Sequence, residues 1–465
     1  MNFQSLAFLG LFVITAPICV LVGRKSKPAG VFALLIVSLV AYGDSGLLTL
    51  LLGLWVTYGV SQAVQGPKGK IDLAVGIGYH VAALVAFKYL GFFTGGALGF
   101  DWAPIGISFF TFSQIWYLKA VYDKTCDPVS VEKLGLYGLF FPTVVSGPIL
   151  SPKAFFPQLE EDGFLRPSSH DVLMGLYCFG CGLVKKILFA DQLALVVAKG
   201  YGNPWGLSLA AGWLVILGFT LQLYLDFSGY CDMATGVARM LGIRLPVNFN
   251  APYRATSITD FWKRWHITLT SFLRECIYLP LGGNRKGTLR TYGNILLIFL
   301  ISGLWHGAGW TFIFWGLLHG LGQVAERLAG GRIRLPKWLG WAVTFAFVNV
   351  AWVLFRAPSV SYATGVLWAA VGRWEATIGG GVLASTVFTT EMTALRALIP
   401  AFSVYYPLLA LIGLYAGGLL ISLWPRTTIS RTDAPKWYQL LGLGLLVGWC
   451  ILSFGGESTF IYANF

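Results

Sequence analysis

Charge is scarce in this chain: Asp, Glu, Lys and Arg make up 11% of its 465 residues, against roughly a quarter in soluble domains. A water-exposed globular enzyme is thereby excluded, and with 56% apolar residues the chain reads as an integral membrane protein. Several chemistries are missing too. There is no G-x-S-x-G, no G-x-x-x-x-G-K-[ST], and no pair of histidines at zincin spacing, so none of the nucleophile, phosphate-loop or zinc chemistries those patterns support is expected, and no metal. Internal repeats are absent: Trp305-His306-Gly307 and Phe261-Trp-Lys-Arg-Trp-His266 each occur once, which counts against the two similar halves of a transporter. No basic residue precedes the first apolar run, Leu6 to Val22, while Gly23-Arg24-Lys25-Ser26-Lys27 follows it. That is the reverse of a signal peptide's charge order, so the run reads as a retained first span. The seven cysteines are scattered, and Cys178-Phe-Gly-Cys181 sits within an apolar stretch, which favours buried thiols over a redox or metal pair.

What is present is a succession of apolar runs. At about 20 residues per span, the length allows about ten to twelve spans and little else, so residues 1–465 read as one all-α, polytopic membrane domain. The net charge of +13 lies in short loops between spans; with no soluble region to hold a duplex, it reads as cytoplasmic topology rather than nucleic-acid binding. Placing Arg24, Lys25 and Lys27 inside puts the N-terminus outside, with a hairpin from Val31 to Val60 turning near Gly43-Asp44 and returning to Lys68 and Lys70. The basic loops around Arg332, Arg334 and Lys337, and around Arg426, Arg431 and Lys436, precede spans at Trp338–Phe355 and Leu440–Leu452. Residues 357–402 then read as an extracytoplasmic loop region, and the C-terminal tail, 455–465, is extracytoplasmic as well. Gly444-Leu-Leu-Val-Gly448 is a helix-packing signal without chemistry.

Residues 242–292 contain no clean span. They carry Arg254, Lys263, Arg264, Arg274, Arg285, Lys286 and Arg290 among many aromatics, a mixture suited to helices lying at the cytoplasmic interface, with Trp and Phe in lipid, or dipping partway in. Irregular backbone at depth needs protein or a water-filled cavity around it, so a central cavity is expected. Among five histidines, His306 stands within the apolar stretch Ile295 to Leu318, where an ionisable group raises a functional hypothesis, although an interhelical hydrogen bond would also account for it. His266 closes the polar segment where it would point inward, with an interfacial packing role as the alternative. His319 follows thirteen residues further along, about three and a half turns on one helix, too far to share a site with His306 easily. His80 and His170 read as structural.

The ordered motifs Leu225-Asp226-Phe-Ser-Gly-Tyr-Cys-Asp232-Met233, Asn248-Phe-Asn-Ala-Pro-Tyr253, Asp260-Phe-Trp-Lys-Arg-Trp-His266, Leu281-Gly-Gly-Asn-Arg285 and Gly303-Leu-Trp305-His306-Gly closely resemble the membrane-bound O-acyltransferase family. The likeness is to its bacterial branch of alginate O-acetylation and teichoic acid D-alanylation, runs from about 104 to 356, and is weak in the first hundred residues. Lys263 stands where relatives often carry Arg. The resemblance implies a ring of helices around a thin core, an extracytoplasmic funnel and a cytoplasmic donor entrance, in a bacterial inner membrane. It implies that His306 is the catalytic histidine and His266 the one facing it, with Trp305, Asp226 and Asn248 as motif support.

The expected donor is acetyl-CoA, with no bound cofactor. Arg254, Lys263, Arg264, Arg285 and Lys286 suit its phosphates, though positive-inside topology explains them equally. The tail Phe460-Ile-Tyr462-Ala-Asn-Phe465 resembles a Phe-Ile-Tyr-x-x-Phe ending of this branch, which makes Tyr462 a candidate acyl relay; an interfacial aromatic anchor is the alternative. Onward transfer to a separate extracytoplasmic acetyltransferase of SGNH type, and so to a polysaccharide, is implied by the resemblance. D-alanyl transfer from a carrier protein is the same-fold alternative, and a solute transporter the alternative of another class.

Overall fold

The computed structural model describes residues 3–43, 46–100, 102–330, 335–372, 377–425, 427–428 and 433–453. Among them every regular element is helical, and extended backbone pairs only at the isolated bridge Leu207–Ile378. Seven helices are long and apolar enough to cross a membrane: Leu6–Lys25, Gly69–Phe93, Ser169–Gly202, Leu209–Met240, Thr288–His306, Lys337–Arg356 and Tyr406–Leu423. Shorter apolar helices, Lys27–Tyr42, Leu47–Ala63, Val360–Gly372 and Trp437–Leu452, accompany them. The chain is a multi-pass membrane protein. The helix Lys27–Tyr42 ends at Gly43, whose φ of 54° is a left-handed conformation that glycine adopts without a Cβ clash; residue 44 of the expected hairpin turn lies outside the described residues.

Leu209–Met240 is the axis of the core, buried along most of its length. It lies antiparallel to Ser169–Leu183, and glycines set how closely the two approach. A Cβ on Gly182 would sit 2.5 Å from the carbonyl oxygen of Gly229, and one on Gly236 would sit 2.5 Å from that of Gly175. Small residues at such crossings let backbones touch where lipid offers no hydrophobic drive for association. The GxxxG at Gly444 and Gly448 does not act this way, since both glycines face open space. Helix packing is carried instead by glycines seven residues apart, Gly175 with Gly182 and Gly229 with Gly236, a spacing that GxxxG does not describe.

A π-helical segment, Val184–Ala190, interrupts the partner helix and presents two consecutive lysines to the axis. Lys185 Nζ lies 2.7 Å from Asp232, and Lys186 Nζ lies 2.6 Å from Asp226 and 2.8 Å from Asp191. Asp226, noted in the sequence for its motif, is therefore half of a buried ion pair between helices. Cys178 is buried and Cys181 half-buried.

The region expected as an extracytoplasmic loop, 357–402, contains helices among its described residues: Val360–Gly372 buries Ala363, Val366 and Ala369, and Gly380–Ala384 and Thr389–Leu398 follow. Its glycines concealed an apolar run too short to read as a span. Within 242–292, short helices at Ile258–Trp262 and Ile267–Leu273 turn Phe261, Trp262 and Trp265 into the protein interior, not into lipid. Neighbouring helices supply a ring-lined core for them, which local amphipathicity does not reveal.

Removing one partner of a buried ion pair strands the other charge. Asp232→Ala is expected to destabilise the purified protein by about 3–5 kcal/mol, whereas Lys185→Met with Asp232→Leu recovers most of the loss. Thermal unfolding in detergent checks this; equal melting temperatures for the single and double variants would contradict it.

Candidate functional site

The stretch read as one helix around His306 is two. Thr288–His306 ends at Gly307, whose backbone is extended, and the chain doubles back as Trp310–Ala329. Glycine permits the reversal: a Cβ on Gly307 would lie 2.2 Å from the Phe312 ring, one on Gly303 2.4 Å from the Phe312 carbonyl oxygen, and one on Gly316 2.3 Å from that of Phe299. His319 is consequently not remote from His306. The Trp315 ring lies 5.1 Å from the His306 ring and 5.0 Å from that of His319. Counting turns along one helix failed because the helix is broken between the two residues.

His306 is 2% exposed, boxed edge to face by Trp305 at 4.8 Å, Trp315 at 5.1 Å and Phe355 at 5.1 Å. His266 is fully buried and precedes Ile267–Leu273 with φ 45° and ψ 53°, a left-handed conformation costing an L-residue about 1–2 kcal/mol. Asn248 holds it there. Its Oδ1 accepts hydrogen bonds from Thr268 N at 3.2 Å and Thr268 Oγ1 at 2.9 Å, and lies 3.2 Å from His266 Nδ1. Because the Thr268 amide can only donate, that Asn248 atom is the acceptor oxygen. His266 Nδ1 therefore carries the proton, and Nε2 of the neutral ring carries the lone pair.

Trp305 joins the two histidines. Its ring lies 6.0 Å from His266 and 4.8 Å from His306, so the imidazoles are no farther apart than the sum of those separations. The indole is fixed by stacking on Phe112 at 5.1 Å and by donating from Nε1 to the Ser108 carbonyl at 3.2 Å. Its own carbonyl, one of the last in the helix and so lacking an intrahelical partner, accepts from Lys88 Nζ at 2.5 Å, while the Leu304 carbonyl accepts from Tyr89 Oη at 2.5 Å. Lys88 also donates to Ser108 Oγ at 3.2 Å. Lys88 and Tyr89 close a π-helical turn, Val85–Tyr89, of the kind that often marks functional sites. Sequence reasoning passed over Lys88, although a lysine within an apolar run was a signal in itself.

A cavity of about 190 Å³ approaches this centre. Arg274, Arg327 and Gln323 line it at the exposed end, and Trp262, Phe299 and Ser302 at the buried end. Ser302 lies one turn before His306 on the same helix face. Arg327 also borders a neighbouring cavity of about 370 Å³ beside Asn284 and Thr288. None of the expected donor residues lines either space. Arg254, Lys263, Arg285 and Lys286 are exposed, and Arg264 pairs with Asp260 at 2.8 Å. A further cavity, about 680 Å³ beside Lys185, Tyr224 and Trp424, shares no lining residue with the one near His306.

Tyr462 lies outside the described residues. His80 is buried mid-helix with Nε2 2.7 Å from Thr57 Oγ1, and His170 is exposed beside Arg239. Among the described residues no group of three or more His, Cys, Asp or Glu is arranged to hold a metal.

Two imidazoles enclosed by aromatic rings thus lie inside a multi-pass helical bundle, with a cavity leading toward them. Residues 108–364 match the model of the membrane-bound O-acyltransferase family, and the chain belongs to that family. It is an acyltransferase, and the transporter reading falls. The chain is 38% identical over 358 residues to the peptidoglycan O-acetyltransferase of Helicobacter pylori, covering 68% of each. It is 37% identical over 343 residues to the probable alginate O-acetylase of Pseudomonas putida, covering 69% of each. Similarity to the teichoic acid D-alanyltransferase of Bacillus subtilis is lower, 28% over 277 residues, covering 54% of this chain and 68% of that one.

Removing the Lys88 ammonium leaves the buried Trp305 carbonyl unsatisfied. Lys88→Met is expected to cost about 1–3 kcal/mol of stability, and Lys88→Arg, which keeps a donor, to recover part of it. Chemical or thermal unfolding of both variants measures the difference.

Proposed function

We propose that this acyltransferase transfers acetyl groups from a cytoplasmic thioester, acetyl-CoA, to an oxygen acceptor on the outer side of the bacterial inner membrane, for O-acetylation of an extracytoplasmic polysaccharide. The observation that carries the reading is the placement of His266 and His306 on one buried indole, with a cavity ending a single turn from His306. The O-acetylating relatives, at 37–38% identity, support acetyl over D-alanyl; their polymers differ, so the polymer class goes no further than polysaccharide.

In this reading His306 takes the proton of the attacking hydroxyl as its oxygen bonds to the acyl carbon, the C–S bond breaks, and the thiolate leaves with that proton. His266, with its lone pair on Nε2, orients the acceptor or stabilises developing charge. Arg274 and Arg327 at the cavity mouth pair with donor phosphates, a task for which guanidinium geometry is suited. Tyr462 relays the acyl group to a serine of a separate extracytoplasmic acetyltransferase. The N-terminus and the tail both face that side.

A general base contributes about 10²–10⁴-fold, so His306→Ala is expected to lower transfer of label from radiolabelled acetyl-CoA by at least that lower factor while the protein inserts normally. Transfer at the wild-type rate would sink the mechanism. Mass spectrometry of the C-terminal peptide after incubation with donor should find an acetylated Tyr462, and full onward transfer by Tyr462→Phe would remove the relay while leaving the His306 chemistry standing.

A further inference from the structure

Between the cavity and His306 lies a cluster of buried hydrogen-bond donors that the mechanism above does not use. Trp262 Nε1 donates to His319 Nδ1 at 3.2 Å. Nδ1 therefore holds the lone pair, and the proton of the neutral ring sits on Nε2. His319 is 0% exposed, and among the described residues its Nε2 meets no acceptor. The same is true of Trp315 Nε1, also 0% exposed, and of Ser302 Oγ, 1% exposed. An indole N–H can only donate, and so can Nε2 of this tautomer. Buried donors left unsatisfied cost free energy, and natural interiors hold few of them. Three within one contiguous set of packed residues point to an oxygen-bearing guest.

The positions agree with that reading. Ser302 lines the buried end of the cavity together with Trp262 and Phe299. The His319 ring packs on both of those rings, at 5.1 and 6.0 Å, and Trp315 spans from His319 to His306. Going inward from Arg274 and Arg327, a guest therefore meets Ser302, then His319 and Trp315, and then the ring of His306.

We propose that Trp315 Nε1–H and His319 Nε2–H are the donors that receive the carbonyl oxygen of the acyl group, with Ser302 guiding its approach. This rests on the acyl-transfer reading given above. When the acceptor oxygen bonds to the acyl carbon, the carbonyl π pair moves onto oxygen, and the two N–H groups meet that charge. As the C–S bond breaks, the pair returns to re-form the carbonyl, and the proton held by His306 passes to the thiolate. Trp262 is then a positioning residue, because its N–H selects the His319 tautomer able to donate.

The test uses the full chain in lipid nanodiscs with acetyl-CoA, measuring kcat, KM and melting temperature. Trp315→Phe and His319→Phe keep a ring and remove the donor; each is expected to lower kcat by about 100-fold, the scale of one lost oxyanion donor. KM should stay within about twofold, the mark of an interaction made in the transition state alone. His319→Gln restores an N–H and should recover at least about tenfold of the lost kcat. Trp262→Phe should reduce kcat and leave the melting temperature near wild type. If Trp315→Phe and His319→Phe both turn over at the wild-type rate, or if His319→Gln is no better than His319→Phe, the assignment is wrong. Should His319→Phe fail to insert, Trp315→Phe decides alone. His306→Ala separates the two levels of inference: an inactive His306→Ala beside fully active donor variants overturns only the donor assignment, whereas an active His306→Ala overturns the underlying mechanism.

Discussion

The helix that bears His306 stops inside the protein, and its final carbonyls must find donors there. Water is scarce in such an interior, and an unpaired carbonyl costs more than the net value of a hydrogen bond. Lys88 and Tyr89 supply the donors, and they reach the carbonyls from a π-helical turn. Much else follows from that closure. With the helix end held, Gly307 can reverse the chain, Trp310–Ala329 can return alongside, and Trp315 and His319 arrive beside His306 rather than far along a straight helix.

The centre is built almost wholly from rings. Trp305, Trp315, Trp352, Phe355 and Phe261 pack edge to face, stacked or tilted around the imidazoles, an arrangement that excludes water and fixes orientation. Polar atoms inside such a shell stand out. Asn248 spends its carbonyl oxygen on three donors around His266 and so determines which nitrogen carries the proton, and Trp262 does the same for His319 with the opposite outcome. One imidazole presents a lone pair at Nε2 and the other a proton. A single aromatic core thus holds both an acceptor and a donor imidazole without any buried carboxylate having to orient them.

Carboxylates are kept elsewhere. Asp226 and Asp232, motif residues on the axis helix, pair with Lys186 and Lys185 of the π-helical segment packed against it. Glycines at Gly175, Gly182, Gly229 and Gly236 let that interface close. The motif therefore supports the scaffold on which the site stands. In the same way, the arginines nearest the cavity, Arg274 and Arg327, come from two separate segments, and the more conspicuous basic run at Arg285-Lys286 remains at the surface.

Membrane character, the apolar spans and His306 as an ionisable group at depth were legible in the sequence, because low charge, long apolar runs and an ionisable residue among apolar ones are properties of neighbours along the chain. The likeness of ordered motifs carried the family. Which residues surround His306 was decided only in three dimensions. The break at Gly307–Gly309 looks apolar and continuous as a string, and its effect depends on Phe312 filling the space where a Cβ would lie. Lys88 is more than two hundred positions from Trp305 and meets it through helix packing alone. The tautomers of His266 and His319 rest on Asn248 and Trp262, residues brought up by separate elements. Periodicity and composition report what a segment is able to do; which donor meets which acceptor is a matter of distance, and the packed fold alone determines that.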